Sequence, residues 1–561
     1  MRKIIIFMLL SFLNFKAFSN YNVDWSETAK IPLGTNRANI FNLDPKTFEI
    51  MKYKGQLHAS SYPVNVTGLV IPYKPFINYF NNSKNNIFKK IALEVGEELV
   101  GFKTENEFLN WLGLSPFNKE ENIEIFKTPR DPAWPLNFYV GEGLIQTKEG
   151  IGLTFSCYAC HSQSLFGKTI LGLTNKRPRA NRFFHLGRSI LPLMSDALFK
   201  LSTKPSDEDF NIFKRTKKNI MATHALIPQT LGLDTSLAHV ALALARRNED
   251  EYATKNPLYE KYPRYNELER EVADSKPMPW WNLKYKTRWL SDGSVVSGNP
   301  ILTNILWNEI GRGADLFELE NWMIKNQQTI DELTVAAFAT EAPKWTDFFK
   351  ANTINLEKAK KGEIIFNQTC KKCHGEYQKG WSLSNEKTLT DEEKLSTVKV
   401  LYSEQTLNKD VGTDPKRSIG ISAFSESLNQ LAISKWMKTK VEAKKGYVPP
   451  PLVGIWSRYP YMHNNSIPNL CALLTNPKER PTFFIQGKAI DINKDYDADC
   501  VGYPVGNKIP KNWRTDNEAF YFVGKSGMSN TGHFKMIQKE NGEELLSLEE
   551  KMQLIEFLKT L

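Results

Sequence analysis

The string C-x-x-C-H occurs twice in this chain of 561 residues, as Cys157-Tyr158-Ala159-Cys160-His161 and as Cys370-Lys371-Lys372-Cys373-His374. Each string brings two thiols and an imidazole to one short turn of backbone, and three chemistries use such a grouping. A zinc site made from two C-x-x-C pairs needs the pairs within about twenty residues of each other, yet His374 lies 213 positions after His161. A thioredoxin-like redox pair needs a βαβ setting, which the flanking residues do not show. The third chemistry is covalent haem attachment, where each thiol forms a thioether to a vinyl group and the neighbouring imidazole ligates iron. The strings therefore predict two covalently bound haem c groups. One is held by Cys157, Cys160 and His161, the other by Cys370, Cys373 and His374, with His161 and His374 as the proximal iron ligands.

Such attachment takes place outside the cytoplasmic membrane, and the first residues agree. Arg2 and Lys3 precede an apolar run from Ile4 to Phe15, broken by Ser11 and Asn14, and Ala17-Phe18-Ser19 offers a cleavage site. The run is shorter than the roughly 20 residues of a spanning helix. Residues 1–19 thus read as a signal peptide, with a periplasmic or secreted product and no stable membrane span after cleavage. Loss of the three cations Arg2, Lys3 and Lys16 takes the formal charge from +11 to +8. The basic residues are dispersed and carry no nucleic-acid-binding motif, which argues against nucleic acid as a partner. A small redox protein as electron donor or acceptor suits the charge better. Cys471 and Cys500 remain, either as a disulfide closing a loop worth roughly 3 kcal/mol or as two buried thiols.

Composition, 41% hydrophobic and 24% charged, is that of a globular chain. Residues 20–350 form an N-terminal haem domain rich in Pro, Trp and Gly, expected as loops and short helices, with a helix over Ser236 to Arg247. Residues 351–561 form a C-terminal cytochrome c domain. It opens on a helix-prone stretch from Leu356 to Phe366 and closes on a capping box, Ser547 to Glu550, ahead of Met552, Leu554, Ile555, Phe557 and Leu558 at helical spacing. The expected fold is mainly α and loop-rich, with two cytochrome c-like haem domains.

Pro450-Pro451-Leu452-Val453-Gly454-Ile455-Trp456, followed by Tyr459-Pro460-Tyr461-Met462-His463-Asn464-Asn465-Ser466-Ile467-Pro468, resembles the diheme cytochrome c peroxidase superfamily, and its haem-dependent rubber oxygenase-like branch in particular. Tyr62 to Gly68, Pro279-Trp280-Trp281, Gly412 to Pro415 and Ser529 to Phe534 match as well. Asn465 stands where relatives carry Gly, and Cys471 where they often carry an aromatic residue. The resemblance implies one haem with an open position that meets peroxide or dioxygen, and a second, capped haem that moves electrons. His533 matches the capping position of the C-terminal haem, with Met528 and Met536 as rivals. His463 reads equally as a group beside a haem or as a turn residue. No cap is evident for the N-terminal haem; His185 and His239 are the nearest candidates in that unit. Trp280 and Trp281 are candidates for an electron relay, a substrate wall or core packing. The resulting expectation is an exported diheme oxidoreductase, peroxidase-like or dioxygenase-like, acting with peroxide, dioxygen or an apolar substrate. The alternative is a non-enzymatic electron-transfer cytochrome with both irons six-coordinate.

Overall fold

A computed structural model describes residues 21–81, 102, 104–119, 121–135 and 137–561. The signal peptide expected over residues 1–19 lies outside the described residues. Helices carry most of the regular structure, joined by long irregular connections and short antiparallel strands. Among the described residues no helix is long and apolar enough to cross a membrane.

Two hydrophobic cores organise the chain. The first is built on the helices Pro45–Ser61, Ser236–Leu244, Pro300–Gly311 and Gln327–Phe338. The helix expected over Ser236 to Arg247 forms, but it stops at Leu244. Its Ala- and Leu-rich stretch is buried all round, and Arg246 just beyond it turns its side chain back onto the Leu242 carbonyl. Ile421, Phe424, Leu428 and Ile433, from far down the chain, pack into this same core.

The second core forms around the helices Leu356–Thr369 and Leu548–Lys559, the opening and closing helices expected from sequence. The closing helix starts on the predicted capping box, with the Ser547 hydroxyl accepting from the Glu550 N–H and the Glu550 carboxylate accepting from the Ser547 N–H. The two helices cross at Gly362, where a Cβ would stand 2.0 Å from the Gln553 carbonyl oxygen. Phe366 and Phe557 pack across the crossing with ring centroids 5.1 Å apart. This core also draws on residues before position 350, among them Leu165, Leu231, Trp281 and Trp345.

The N-terminal half holds more strand than its loop-like sequence suggests. Glu142–Gln146 pairs with Ile151–Phe155, and Ser162–Leu165 with Lys168–Leu171. The first hairpin is buried on both faces for much of its length, so its residues do not alternate between apolar and polar and carry no period-2 signal. These two hairpins place the first C-x-x-C-H string between them.

Candidate haem sites

The string at Cys370 sits on helix. The Leu356–Thr369 helix runs into Cys370, a short helix Lys371–His374 follows, and Gly375 ends it at φ +81. Only glycine suits that turn, because a Cβ would meet the Leu401 carbonyl oxygen at 2.6 Å. The His374 Nδ1–H donates to the Pro450 carbonyl at 2.8 Å. With Nδ1 occupied by the proton, Nε2 is the nitrogen left to bind a metal, the arrangement by which proteins orient imidazole ligands. The Tyr377 hydroxyl donates to the His374 carbonyl at 2.8 Å and accepts from the Leu452 N–H, so one side chain ties the string to the 450–452 segment.

His533 faces this string. Its ring centroid lies 6.0 Å from that of His374, with 49° between the planes. Metal–imidazole bonds run about 2.0–2.1 Å, so the gap admits one ion bonded to both rings. The His533 backbone is held at φ +51. Its N–H donates to the Val411 carbonyl at 2.8 Å, and Arg480 grips the Asn530 and Gly532 carbonyls just before it. Its Nδ1 is buried without a hydrogen-bond partner. Burial pushes the His533 pKa down to about 3, helped by His374 and Arg480. Burial likewise takes His374 to about 4, opposed by the Pro450 carbonyl. Both rings are thereby kept neutral, the form in which imidazole ligates metal. The rival Met528 is packed into the second core instead.

The string at Cys157 is built differently. It leaves the Ile151–Phe155 strand, makes a single turn of 3-10 helix over Cys157–Ala159 and enters the next hairpin, with the His161 carbonyl accepting from the Gly172 N–H at 2.7 Å. Cys157, Cys160 and His161 line a cavity of about 260 Å³ whose wall includes Val64, Phe184, Trp280, Ile301 and Ile305. Burial lowers the His161 pKa to about 4; the Met278 backbone opposes the shift, although Nδ1 itself makes no hydrogen bond. Trp280 lies beside His161, with 5.3 Å between centroids. His239 lines the same cavity, but its Nε2 is engaged by the Leu226 N–H at 2.8 Å. His185 lies on the neighbouring Ala180–Ile190 helix.

All four string cysteines are unbonded. Burial raises Cys157 and Cys370 to about 11 and Cys160 to about 12, which suppresses thiolate and the redox exchange that depends on it. Cys471 and Cys500 form a disulfide, which settles that pair.

The tryptophan pair divides between the two cores. Trp280 belongs to the first core and touches the His161 cavity, while Trp281 belongs to the second and donates its indole N–H to the Val453 carbonyl at 2.9 Å. His463 stacks on Tyr447 at 3.9 Å between centroids, and the next residue, Asn464, donates to the Gly527 and Ser529 carbonyls on the way to His533. Asn465, the departure from the usual glycine, sits at φ +60, a left-handed conformation that Asn tolerates better than most residues. Sequence reasoning missed the Pro450 carbonyl, Tyr377, Arg458, whose charge helps lower the His374 pKa, and Lys276, which lines the His161 cavity. None carries a signal of its own, since a carbonyl acceptor or a lone cation gains meaning only from what packs beside it.

Residues 446–485 match a family model described as RoxA-like, cytochrome c-like. That stretch contains Pro450, whose carbonyl accepts from His374, Arg458, whose charge acts on His374, and Arg480, which holds the loop before His533. The match supports a link to the cytochrome c family, implies haem c and suggests a haem-based redox role. The chain is also similar to two proteins of Sinorhizobium fredii (strain NBRC 101917 / NGR234), both described as uncharacterized. With y4iJ it shares 25% identity over 294 residues, 44% of this chain and 45% of that protein. With y4iM it shares 37% over 93 residues, 16% of this chain and 20% of that protein. The chain thus spans less than half the length of either relative.

Proposed function

We propose that the chain is an exported diheme c-type cytochrome oxidoreductase, with Cys157, Cys160 and His161 holding one haem and Cys370, Cys373 and His374 the other. The observation that carries this reading is the asymmetry of the two strings: His374 is opposed by a second imidazole, His533, whereas His161 opens on a largely apolar cavity whose other histidine, His239, is already hydrogen-bonded. Haem iron, once bound, supplies the one-electron and oxygen chemistry that side chains lack.

In this reading the residues of the chain have separate tasks. His374 and His533 would hold the C-terminal haem, and the Pro450 carbonyl and Tyr377 keep His374 in register. Trp280 packs against His161 and fixes its plane, while the apolar wall of the cavity limits water. The closed site suits electron storage and transfer with a small redox protein in the periplasm or outside the cell. The open site suits peroxide or dioxygen, and the apolar lining would admit an apolar substrate.

The test is the spectrum of the purified protein. Two haems per chain are expected by pyridine haemochrome assay, with one low-spin and one high-spin ferric signal by EPR. Two low-spin signals that persist after one-electron reduction would sink the enzyme reading in favour of an electron-transfer cytochrome. Peroxide consumption against oxygen uptake with an unsaturated hydrocarbon then separates the peroxidase-like from the dioxygenase-like form.

A further inference from the structure

Four cations gather between the two candidate haem sites, and among the described residues no carboxylate forms an ion pair with any of them. Lys176 and Lys286 are 5% and 2% exposed. Lys276 lines the cavity beside His161, and Arg458 lies near enough to His374 to help hold its pKa down. The four behave as one group. The Lys276 Nζ donates to the Pro460 carbonyl and, at 3.3 Å, to the Arg458 carbonyl. The Arg458 charge is felt by Lys276 and Lys286, and that of Lys176 by Lys276.

Every other polar contact of the group is neutral. The Lys176 Nζ donates to the Ser457 carbonyl and stands 4.1 Å from the centre of the Tyr459 ring. The Lys286 Nζ lies 3.0 Å from the Met278 Sδ. Arg458 Nη1 donates to the Pro451 carbonyl at 2.9 Å, and its Nε has no partner. Asp292, the acid that acts on Lys286, is already paired with Arg417. Some other buried cations of this protein reach a carboxylate, as Arg177, Arg417 and Lys559 do, whereas Arg247 and Lys379 stand singly; what sets the four apart is that they gather at one place beside both strings. Burying an unpaired cation is unfavourable because water's solvation of the charge is lost. A lysine escapes by losing its proton, but arginine does not deprotonate in proteins. Arg458 therefore keeps its charge, its Nε is buried without a partner, and no described carboxylate pairs with it.

We propose that Lys276, Lys286, Arg458 and Lys176 form one cationic seam whose counterions are the propionate carboxylates of the two haems, Lys276 serving the group at His161 and Arg458 the group at His374. The inference rests on the two-haem reading. Because an oxidised haem iron carries one more positive charge than a reduced one, the seam favours the reduced form at both sites.

The test is a redox titration of the purified holoprotein, after a haemochrome assay has counted the haems. A chain without two haems ends the underlying reading and the seam with it. Given two haems, Lys276→Met and Arg458→Met should each shift the oxidised-to-reduced ratio at a fixed potential about tenfold toward oxidised, a fall of about 59 mV for one electron, each mainly at its own haem. Lys276→Arg should retain the wild-type potential. Unchanged midpoints in methionine variants that keep both haems would overturn the seam and leave the two-haem reading standing. If a methionine variant does not mature, Lys286→Met and Arg458→Gln are titrated in its place, and the same two outcomes decide.

Discussion

His533 holds a backbone conformation that non-glycine residues rarely adopt, and the contacts around it explain why it persists. The Val411 carbonyl and Arg480 anchor the loop on both sides, so its strain is borne by bonds outside the ring. If the ring caps an iron at His374, His533→Ala should turn the C-terminal haem from low-spin to high-spin, read by EPR and absorption. An unchanged low-spin signal would remove His533 as a ligand. Glu142 is a second residue with an unusual setting. It is 4% exposed, accepts from the Tyr139 N–H at 3.2 Å through Oε2, and leaves Oε1 without a partner. Burial pushes its pKa from 4.5 up to about 8, with Glu105 adding to the shift. The folded state thus keeps a proton that the unfolded chain releases above pH 4.5, so stability falls as pH rises from there through about 8. Glu142→Gln should flatten that decline, raising Tm at pH 8 by several degrees and leaving it nearly unchanged at pH 4, as measured by thermal melts across the range.

Among the elements, the two helices of the second core were the most legible, because their apolar spacing, the capping box and the Gly362 position are all local patterns. Their angle of approach was not legible, and it depends on one missing methyl group. A Cβ at Gly362 would meet the Gln553 carbonyl at 2.0 Å, and the Phe557 Cβ at 2.9 Å. We expect Gly362→Ala to force the helices apart, lower Tm by roughly 2 °C or more on the scale of a 1–3 kcal/mol overpacking cost, and, if a haem is bound at His374, loosen its retention. The measurement is a thermal melt with the Soret band as a second probe. The hairpins around Cys157 escaped sequence reading for the opposite reason. Strands buried on both faces lose the alternation that marks a strand, and flanking Gly and Ser read as loop.

At the scale of the whole molecule the two cores exchange residues across position 350. Leu165, Leu231, Trp281 and Trp345 enter the second core, while Ile421 to Met437 enter the first. Arg177 and Arg179 add half-buried ion pairs to Asp516 and Glu518 across the same divide. Residues 351–561 expressed alone should therefore lack part of their core and give a poorly dispersed NMR spectrum or aggregate, whereas a stable, haem-loaded fragment would show the C-terminal unit to be self-sufficient. The sequence by itself determined the two C-x-x-C-H strings, the imidazole that ends each and the helices of the second core, because thiol spacing and helical periodicity are properties of neighbouring residues. Only the tertiary structure decided that the strings are unequal. The Pro450 carbonyl reaches His374 across 76 positions, His533 arrives from beyond the disulfide-closed loop, and His161 is left facing a cavity. Those partners are ordinary residues in the chain, and it is packing that brings them within bonding distance.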